Sequence, residues 1–228
     1  MKRNTVILDL DQTIIYGEPV KQFPENLKKK ASLFTFYDMD KVYVIFERPH
    51  LQEFLDFLFE NFNVAVWTAA SKDYALFIVK NIILAKPNRT LAFILFSYHC
   101  KISEKINKNK HTKYLSLLSS EFNLTAFNKT NTLIIDDYES DVYASQPNNC
   151  ILAPEFVFRK EGSENDTFLL DLMTKMKPLA NSKDVSQLVF SINNTKKVKA
   201  SSDQNAFEED HVSQNEDETE TTTTDDDE

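Results

Sequence analysis

Two aspartates two positions apart, Asp9 and Asp11, follow the apolar run Val6-Ile7-Leu8 and precede a hydroxyl at Thr13. In an extended strand, residues i and i+2 point to one side. Asp9 and Asp11 are therefore expected on one face at the strand's carboxyl end. Two carboxylates held close repel and need a cation or a proton between them. Two further groups stand at the ends of later apolar runs, and a lysine lies between them. Thr68 follows Val64–Trp67, Asp136-Asp137 follow Thr132–Ile135, and Lys113 is expected to open a helix between them. Four carboxylates at one edge make a hard oxygen site suited to Mg²⁺. A hydroxyl and an ammonium are what the outer oxygens of a phosphoryl group require. Taken singly, Thr68 is as readily a helix N-cap, Lys113 a solvated helix residue and Asp136-Asp137 a turn. Their order and their strand-end placement together point to chemistry.

The elements that position them read as alternating strands and helices. Short buried strands are expected at Val6–Leu8, Val64–Trp67, Phe93–Ser97 and Thr132–Ile135. A helix after Arg48-Pro49-His50 carries Leu51, Phe54, Leu55, Leu58, Phe59 and Phe62 on one stripe. Lys72–Leu84, apolar nearly all round, is expected as a deeply packed helix. Thr112–Phe122 also reads as helical, and Asp166-Thr167 as the cap of a helix through Met176. Residues 16–31 read as a polar loop, and Leu33–Phe36 with Val42–Phe46 as an antiparallel pair. The alternation, with polar residues massed where strands end, predicts an α/β fold: a doubly wound parallel sheet with helices on both faces and a small antiparallel β insert. Ligands bind such sheets beyond the carboxyl ends of their strands.

Composition sets the remaining bounds. The 228 residues, 42% hydrophobic, suffice for one domain with a core, expected over 1–180. Residues 181–228 are expected as a disordered linker and acidic tail. The net charge is −9, but 12 of the 35 acidic residues lie from Asp203 onward. The first 202 residues then hold 23 acidic against 26 basic groups, a formal +3. That balance gives little support for direct nucleic-acid binding, which calls for a clearly basic face. No apolar run approaches the ~20 residues of a membrane span, and the start lacks a signal-peptide core. Two cysteines, Cys100 and Cys150, make no disulfide framework. An intracellular protein, nuclear or cytoplasmic, is expected.

Several chemistries are excluded by inspection. Only Gly17 and Gly162 are present, too few for a dinucleotide fingerprint, a P-loop or a kinase Gly-rich loop. A cysteine phosphatase needs Cys-x5-Arg, yet Ile106 and Phe156 stand six residues after the two cysteines. Neither glycine precedes an aspartate, as two-metal phosphoesterases require. The four histidines form no His-Glu-x-x-His site.

The pattern Asp9-x-Asp11-x-Thr13, Thr68, Lys113 and Asp136-Asp137 resembles the haloacid-dehalogenase-type phosphatases. It is closer still to the branch acting on the C-terminal domain (CTD) of RNA polymerase II. Val42-Tyr43-Val44 with Arg48-Pro49-His50-Leu51 is similar to that branch. So are Glu53-Phe54-Leu55, Trp67-Thr68-Ala69, Tyr74-Ala75, Lys113-Tyr114-Leu115-Ser116, Gln146-Pro147 with Asn149, and Leu169–Met176. The likeness spans about residues 4 to 177. It implies a Mg²⁺-dependent protein phosphoserine or phosphothreonine phosphatase. Asp9 would be the nucleophile and Asp11 the general acid and base. The metal would sit on Asp9, the Asp11 main-chain carbonyl and Asp137, with Asp136 close by. Thr68 and Lys113 would hold the phosphoryl oxygens, and the β insert would leave the site open to a peptide.

The chain departs from the branch at four places. Gln12 replaces a usual Glu, Ala70 a small polar residue, and Ser97 an arginine expected after Phe96. The stretch from Lys113 to Asp136 is long, which keeps Lys110 as an alternative cation. The alternatives to protein dephosphorylation are a binding or scaffold protein on the same fold and a phosphatase of a small metabolite. Retention of both Asp9 and Asp11 favours catalysis, because a module that only binds has no need of mutually repelling carboxylates. The tail reads first as a solubilising acidic segment, with Phe207 beside Glu208-Glu209-Asp210 as the alternative, a docking segment for a basic protein partner.

Overall fold

The computed structural model describes residues 3–107 and 112–193. Strand β1 (Thr5–Leu8) is buried at all four positions, as expected of a strand covered on both sides. It lies at the centre of a five-stranded sheet. On one flank are β5 (Asn63–Trp67) and then β6 (Leu91–Leu95); on the other are β7 (Thr132–Asp136) and β8 (Cys150–Leu152). Every pairing in this sheet is parallel. The chain fills one flank first and then crosses β1 to fill the other. That reversal puts a topological switch point at the carboxyl ends of β1 and β7, where open α/β sheets take ligands.

Side-chain alternation divides the core into two layers. Val6 and Leu8 join Val66, Leu133 and Ile135 on one face, against Phe54, Leu55 and Leu58 of α2 (Leu51–Asn61). Ile78 of α3 (Lys72–Ile78) and Leu169, Leu172 and Met176 of α6 (Phe168–Met176) complete that layer. Ile7, Trp67 and Ile134 face the opposite way, toward Cys100 of α4 (Ser97–Ile106) and Leu118 of α5 (Leu117–Ser120). The expected doubly wound sheet with helices on both faces is the observed one.

The insert is larger than the sequence suggests. It is a three-stranded antiparallel sheet in the order β2 (Ile15–Pro19), β4 (Tyr43–Glu47), β3 (Phe36–Met39). The expected pair is present, although its first strand begins at Phe36 rather than Leu33. Asp40 and Lys41 connect the pair with φ of 50° and 60°, the two positive values of a type I′ turn. The insert has its own aromatic core, with the Phe46 and Phe158 rings stacked at 3.9 Å and Phe23 and Phe34 packed around them. Lys28–Ala31, a single helical turn (α1), lies between β2 and β3.

Five other segments differ from expectation. The third strand is Leu91–Leu95, not Phe93–Ser97. Ser97–Ile106 is helical, and the helix expected over Thr112–Phe122 is only Leu117–Ser120. Two side chains replace helical bonding before α5: the Thr112 N–H and hydroxyl donate to Asp141, and the Leu115 N–H donates to Gln146 Oε1 at 3.1 Å. In the packed helix after Ser71, residues Val79–Ile83 widen into a π-turn. Residues 185–193, expected as linker, form a helix that buries Val185 and Val189 in the main core. Lys110 and the acidic tail lie outside the described residues.

Candidate active site

Asp9 leaves β1 at the switch point, its N–H still bonded to Ile135 O of β7 at 3.0 Å. Its carboxylate is buried and shared between two partners. Lys113 Nζ donates to Oδ1 at 2.5 Å, and the Thr13 hydroxyl stands 3.1 Å from Oδ2. Lys113 also donates to Asp136 Oδ2 at 2.7 Å, and the Thr13 hydroxyl reaches Asp137 Oδ1 at 2.9 Å. One cation and one hydroxyl thus knit three carboxylates from two adjacent strands. Oxygens of Asp9, Asp136 and Asp137 lie within 4.8 Å of one another.

Burial and mutual repulsion govern the protonation of this cluster. Burial pushes the Asp9 carboxyl upward, with Asp136 and Asp137 adding to the rise and Lys113 opposing it. The same carboxylates hold the proton on Lys113 more tightly than usual, outweighing its own burial. Asp137 is raised by burial, while its bond from Thr13 pulls it back.

The two aspartates of the motif share Lys113 and Asp137 as charged neighbours but differ in their hydrogen-bond partners. β1 ends at Leu8, and Gln12 turns the chain with a φ of 62°, its own side chain exposed. Asp11 Oδ1 accepts a 2.6 Å bond from the Tyr74 hydroxyl of α3. Its carboxyl is raised by burial, against the lowering effect of that bond. The turn is pinned by Arg48, which donates to Thr13 O and Pro154 O and pairs with Asp166 through Nε and Nη2. Asp166 in turn accepts from the Phe168 N–H at the start of α6.

Thr68 stands just beyond β5. The Leu8–Val66 register puts it level with Leu10. Its hydroxyl oxygen accepts from the Ala70 N–H at 3.1 Å, which leaves its proton free to donate to a ligand. The structure therefore gathers Asp9, Lys113, Asp136 and Asp137 in direct contact or close to it, with Thr68 and Asp11 at the same sheet edge. Lys113 belongs to an irregular segment, not to a helix. Gln146 fixes that segment from both sides, accepting from Leu115 N and donating to Lys113 O at 2.6 Å. Sequence reasoning gave Gln146 and Tyr74 no role of their own, and their polar sequence neighbours offered no local signal of one.

A family model described as NLI interacting factor-like phosphatase matches residues 4–186. The chain belongs to that family. The CTD phosphatase-like protein 355R of Invertebrate iridescent virus 6 is 44% identical over 171 residues, covering 73% of this chain and 93% of the viral one. Its namesake in Invertebrate iridescent virus 3 is 40% identical over 176 residues, covering 74% and 92%. The CTD nuclear envelope phosphatase 1 homolog of Drosophila melanogaster is 25% identical over 195 residues, covering 83% and 72%. Among solved structures, fission yeast RNA polymerase II CTD phosphatase Fcp1 bound to beryllium fluoride aligns with a TM-score of 0.49 at 17% identity. That alignment takes in 90% of this chain and 65% of the yeast one. This member of the NLI interacting factor-like family is accordingly a phosphatase of the haloacid-dehalogenase type. No helix among its described residues is long and apolar enough to cross a membrane.

Proposed function

We propose that the chain is a protein phosphoserine or phosphothreonine phosphatase working through an aspartyl-phosphate on Asp9. One observation carries this reading. The two carboxyls of a single short motif are held by different chemistry, Asp9 by an ammonium and Asp11 by a neutral phenol. Pairs of carboxyls with separated surroundings are how sites divide nucleophile from acid.

In the first step an Asp9 carboxylate oxygen bonds to phosphorus while the phosphorus–ester oxygen bond breaks. The departing seryl or threonyl oxygen takes the proton of the Asp11 carboxyl. In the second step water attacks phosphorus, the bond to Asp9 breaks, and Asp11 receives the proton of the water. Phosphate leaves and Asp9 is again a carboxylate. Lys113 and Thr68 serve the non-reacting phosphoryl oxygens, where charge accumulates. The all-oxygen set of Asp9, Asp136 and Asp137 suits Mg²⁺ in chemistry and in mutual spacing, with the Asp11 carbonyl as a further oxygen ligand. A bound divalent ion would neutralise charge between an anionic nucleophile and an anionic substrate.

A phosphorylated protein or peptide is the substrate we assign, since the relatives matched are named CTD phosphatases or CTD phosphatase-like. The polymerase C-terminal domain, or a peptide like it, is the first candidate. Cys100 and Cys150 are both free and buried, which agrees with a nuclear or cytoplasmic setting. The deciding experiment is hydrolysis of p-nitrophenyl phosphate with and without Mg²⁺, wild type beside Asp9→Asn. Mg²⁺-dependent turnover that Asp9→Asn abolishes is expected. Undiminished turnover by the variant would end the aspartyl-phosphate mechanism.

A further inference from the structure

Gly17 has an ordinary backbone conformation, so its lack of a side chain calls for another cause. It lies in β2 of the insert, opposite Ile45 of β4. A Cβ built there would fall 2.2 Å from the Tyr74 hydroxyl oxygen, 3.3 Å from Tyr74 Cζ and 3.4 Å from Asp11 Oδ1. The space a side chain would need is taken by the hydrogen-bonded Tyr74–Asp11 pair. Tyr74 is itself fixed. It is buried, it follows the Ser71 cap of α3, and its ring meets Tyr43 of β4 edge-on at 5.5 Å.

We propose that Tyr74 and Gly17 are positioning residues for the Asp11 carboxyl, so that the β insert and α3 together aim the acid. This rests on the reading of Asp11 as proton donor given above. A phenol donating to Oδ1 disfavours a proton on that oxygen. The acid's proton is thereby steered to Oδ2, the oxygen that the phenol does not hold. Gly17 keeps the phenol in place, because a methyl group there must displace its hydroxyl. The insert thus contributes to proton delivery in addition to framing the site's opening.

The consequence depends on the leaving group. p-Nitrophenolate is a stable anion and departs with little help, whereas phenolate is more basic and gains more from a proton. Misaimed general acids lose most where protonation matters most. The experiment measures kcat/KM for p-nitrophenyl phosphate and for phenyl phosphate, two esters of nearly the same shape, with the full chain in Mg²⁺. Tyr74→Phe keeps the ring and removes the hydroxyl; Gly17→Ala keeps the hydroxyl and displaces it. Each is expected to lower phenyl phosphate turnover about tenfold more than p-nitrophenyl phosphate turnover, within the range that small misplacements produce. Equal loss on both esters, or no loss on either, would overturn the proposal. Tyr74→Phe alone decides the matter if Gly17→Ala fails to fold, as a thermal melt reports. Asp11→Asn is run alongside. If that variant shows no difference between the esters, Asp11 is not the acid and the parent reading fails with the proposal. If Asp11→Asn discriminates and Tyr74→Phe does not, the positioning role alone is lost.

Discussion

Among the described residues Lys113 is the cation set among the three clustered carboxylates, and its replacement by Met is the sharpest test of how the site is held together. Met is unbranched and similar in length, so the substitution mainly deletes charge. The ammonium contacts Asp9 at 2.5 Å and Asp136 at 2.7 Å, all three side chains being less than a tenth exposed. Removing one member of a buried ion pair typically costs about 3–5 kcal/mol, because an uncompensated charge remains. Two carboxylates are orphaned here, which places Lys113→Met toward the upper end. For a domain of this size, about 2–4 °C in Tm accompanies each kcal/mol, so a fall of roughly 6–20 °C is expected in EDTA. A divalent ion on the same carboxylates should return part of that loss, about 2.7 kcal/mol at a hundredfold excess over its Kd. The assay is thermal melting of wild type and variant in EDTA and in a Mg²⁺ series. Adding Asp136→Asn to the variant should also recover stability, by removing one of the charges left unpaired. Turnover of p-nitrophenyl phosphate should fall about 10²–10³-fold, as when a comparable electrostatic donor is lost. A Lys113→Met melt within about 2 °C of wild type in EDTA, less than one kcal/mol on the same scale, would refute the charge balance described here.

Two further outcomes follow from neighbouring contacts. Gln146→Leu leaves the buried Leu115 N–H and Lys113 carbonyl without their partners, at about 1–3 kcal/mol for each orphaned group. Chemical denaturation should show that loss, and kcat/KM should fall with it as the Lys113 segment loosens. Asp56 pairs with Lys86 at 2.5 Å and Arg89 at 2.7 Å, and those bonds hold its carboxyl below the ordinary 3.8. A depressed folded-state pKa contributes stability above the unfolded value, lost as pH falls through the folded one. The Tm advantage of wild type over Asp56→Asn should therefore be steady above about pH 5 and shrink toward acid. An advantage that grows on acidification would reject the ion-pair account.

The parts legible in the sequence were those whose signal is local. β1, β5 and β7 are short apolar runs because both faces are covered, and each ends in polar residues because the sheet edge opens to ligand. That alone placed Asp9, Asp136 and Thr68. β2 was not legible, since Ile15-Tyr16-Gly17-Glu18-Pro19 carries a glycine, a charge and a proline and becomes a strand only by pairing with β4. Its Glu18 is buried through a bond from Arg159, 141 residues away. α4 escaped notice because little of it is buried beyond Cys100 and Ser103. The segment at Lys113 reads as helical by composition, but Asp141 and Gln146 satisfy its backbone from outside. In residues 185–193 the spacing of Val185, Leu188, Val189 and Ile192 is helical, diluted by the Ser and Asn residues around it.

Asp9 and Asp11 stand at the same sheet edge and in one electrostatic field, but different groups hold their oxygens. A strand continuing through both would not by itself give them different partners. Instead β1 ends at Leu8, and Gln12 reverses the chain at a φ of 62°. The Phe156 N–H donates to Gln12 O at 2.6 Å, and Arg48 grips Thr13 O. The turn so held sends Asp11 toward the insert while Thr13 returns to the cluster, its hydroxyl against Asp9 and Asp137. One carboxyl thus stays with the sheet, the ammonium and its fellow carboxylates. The other passes to α3 and the insert, against a phenol that cannot ionise in its company, since Asp11 and burial both raise the Tyr74 hydroxyl. A nucleophile must remain an anion and an acid must recover its proton in every cycle. A five-residue turn separates those requirements because distant parts of the chain hold its two ends.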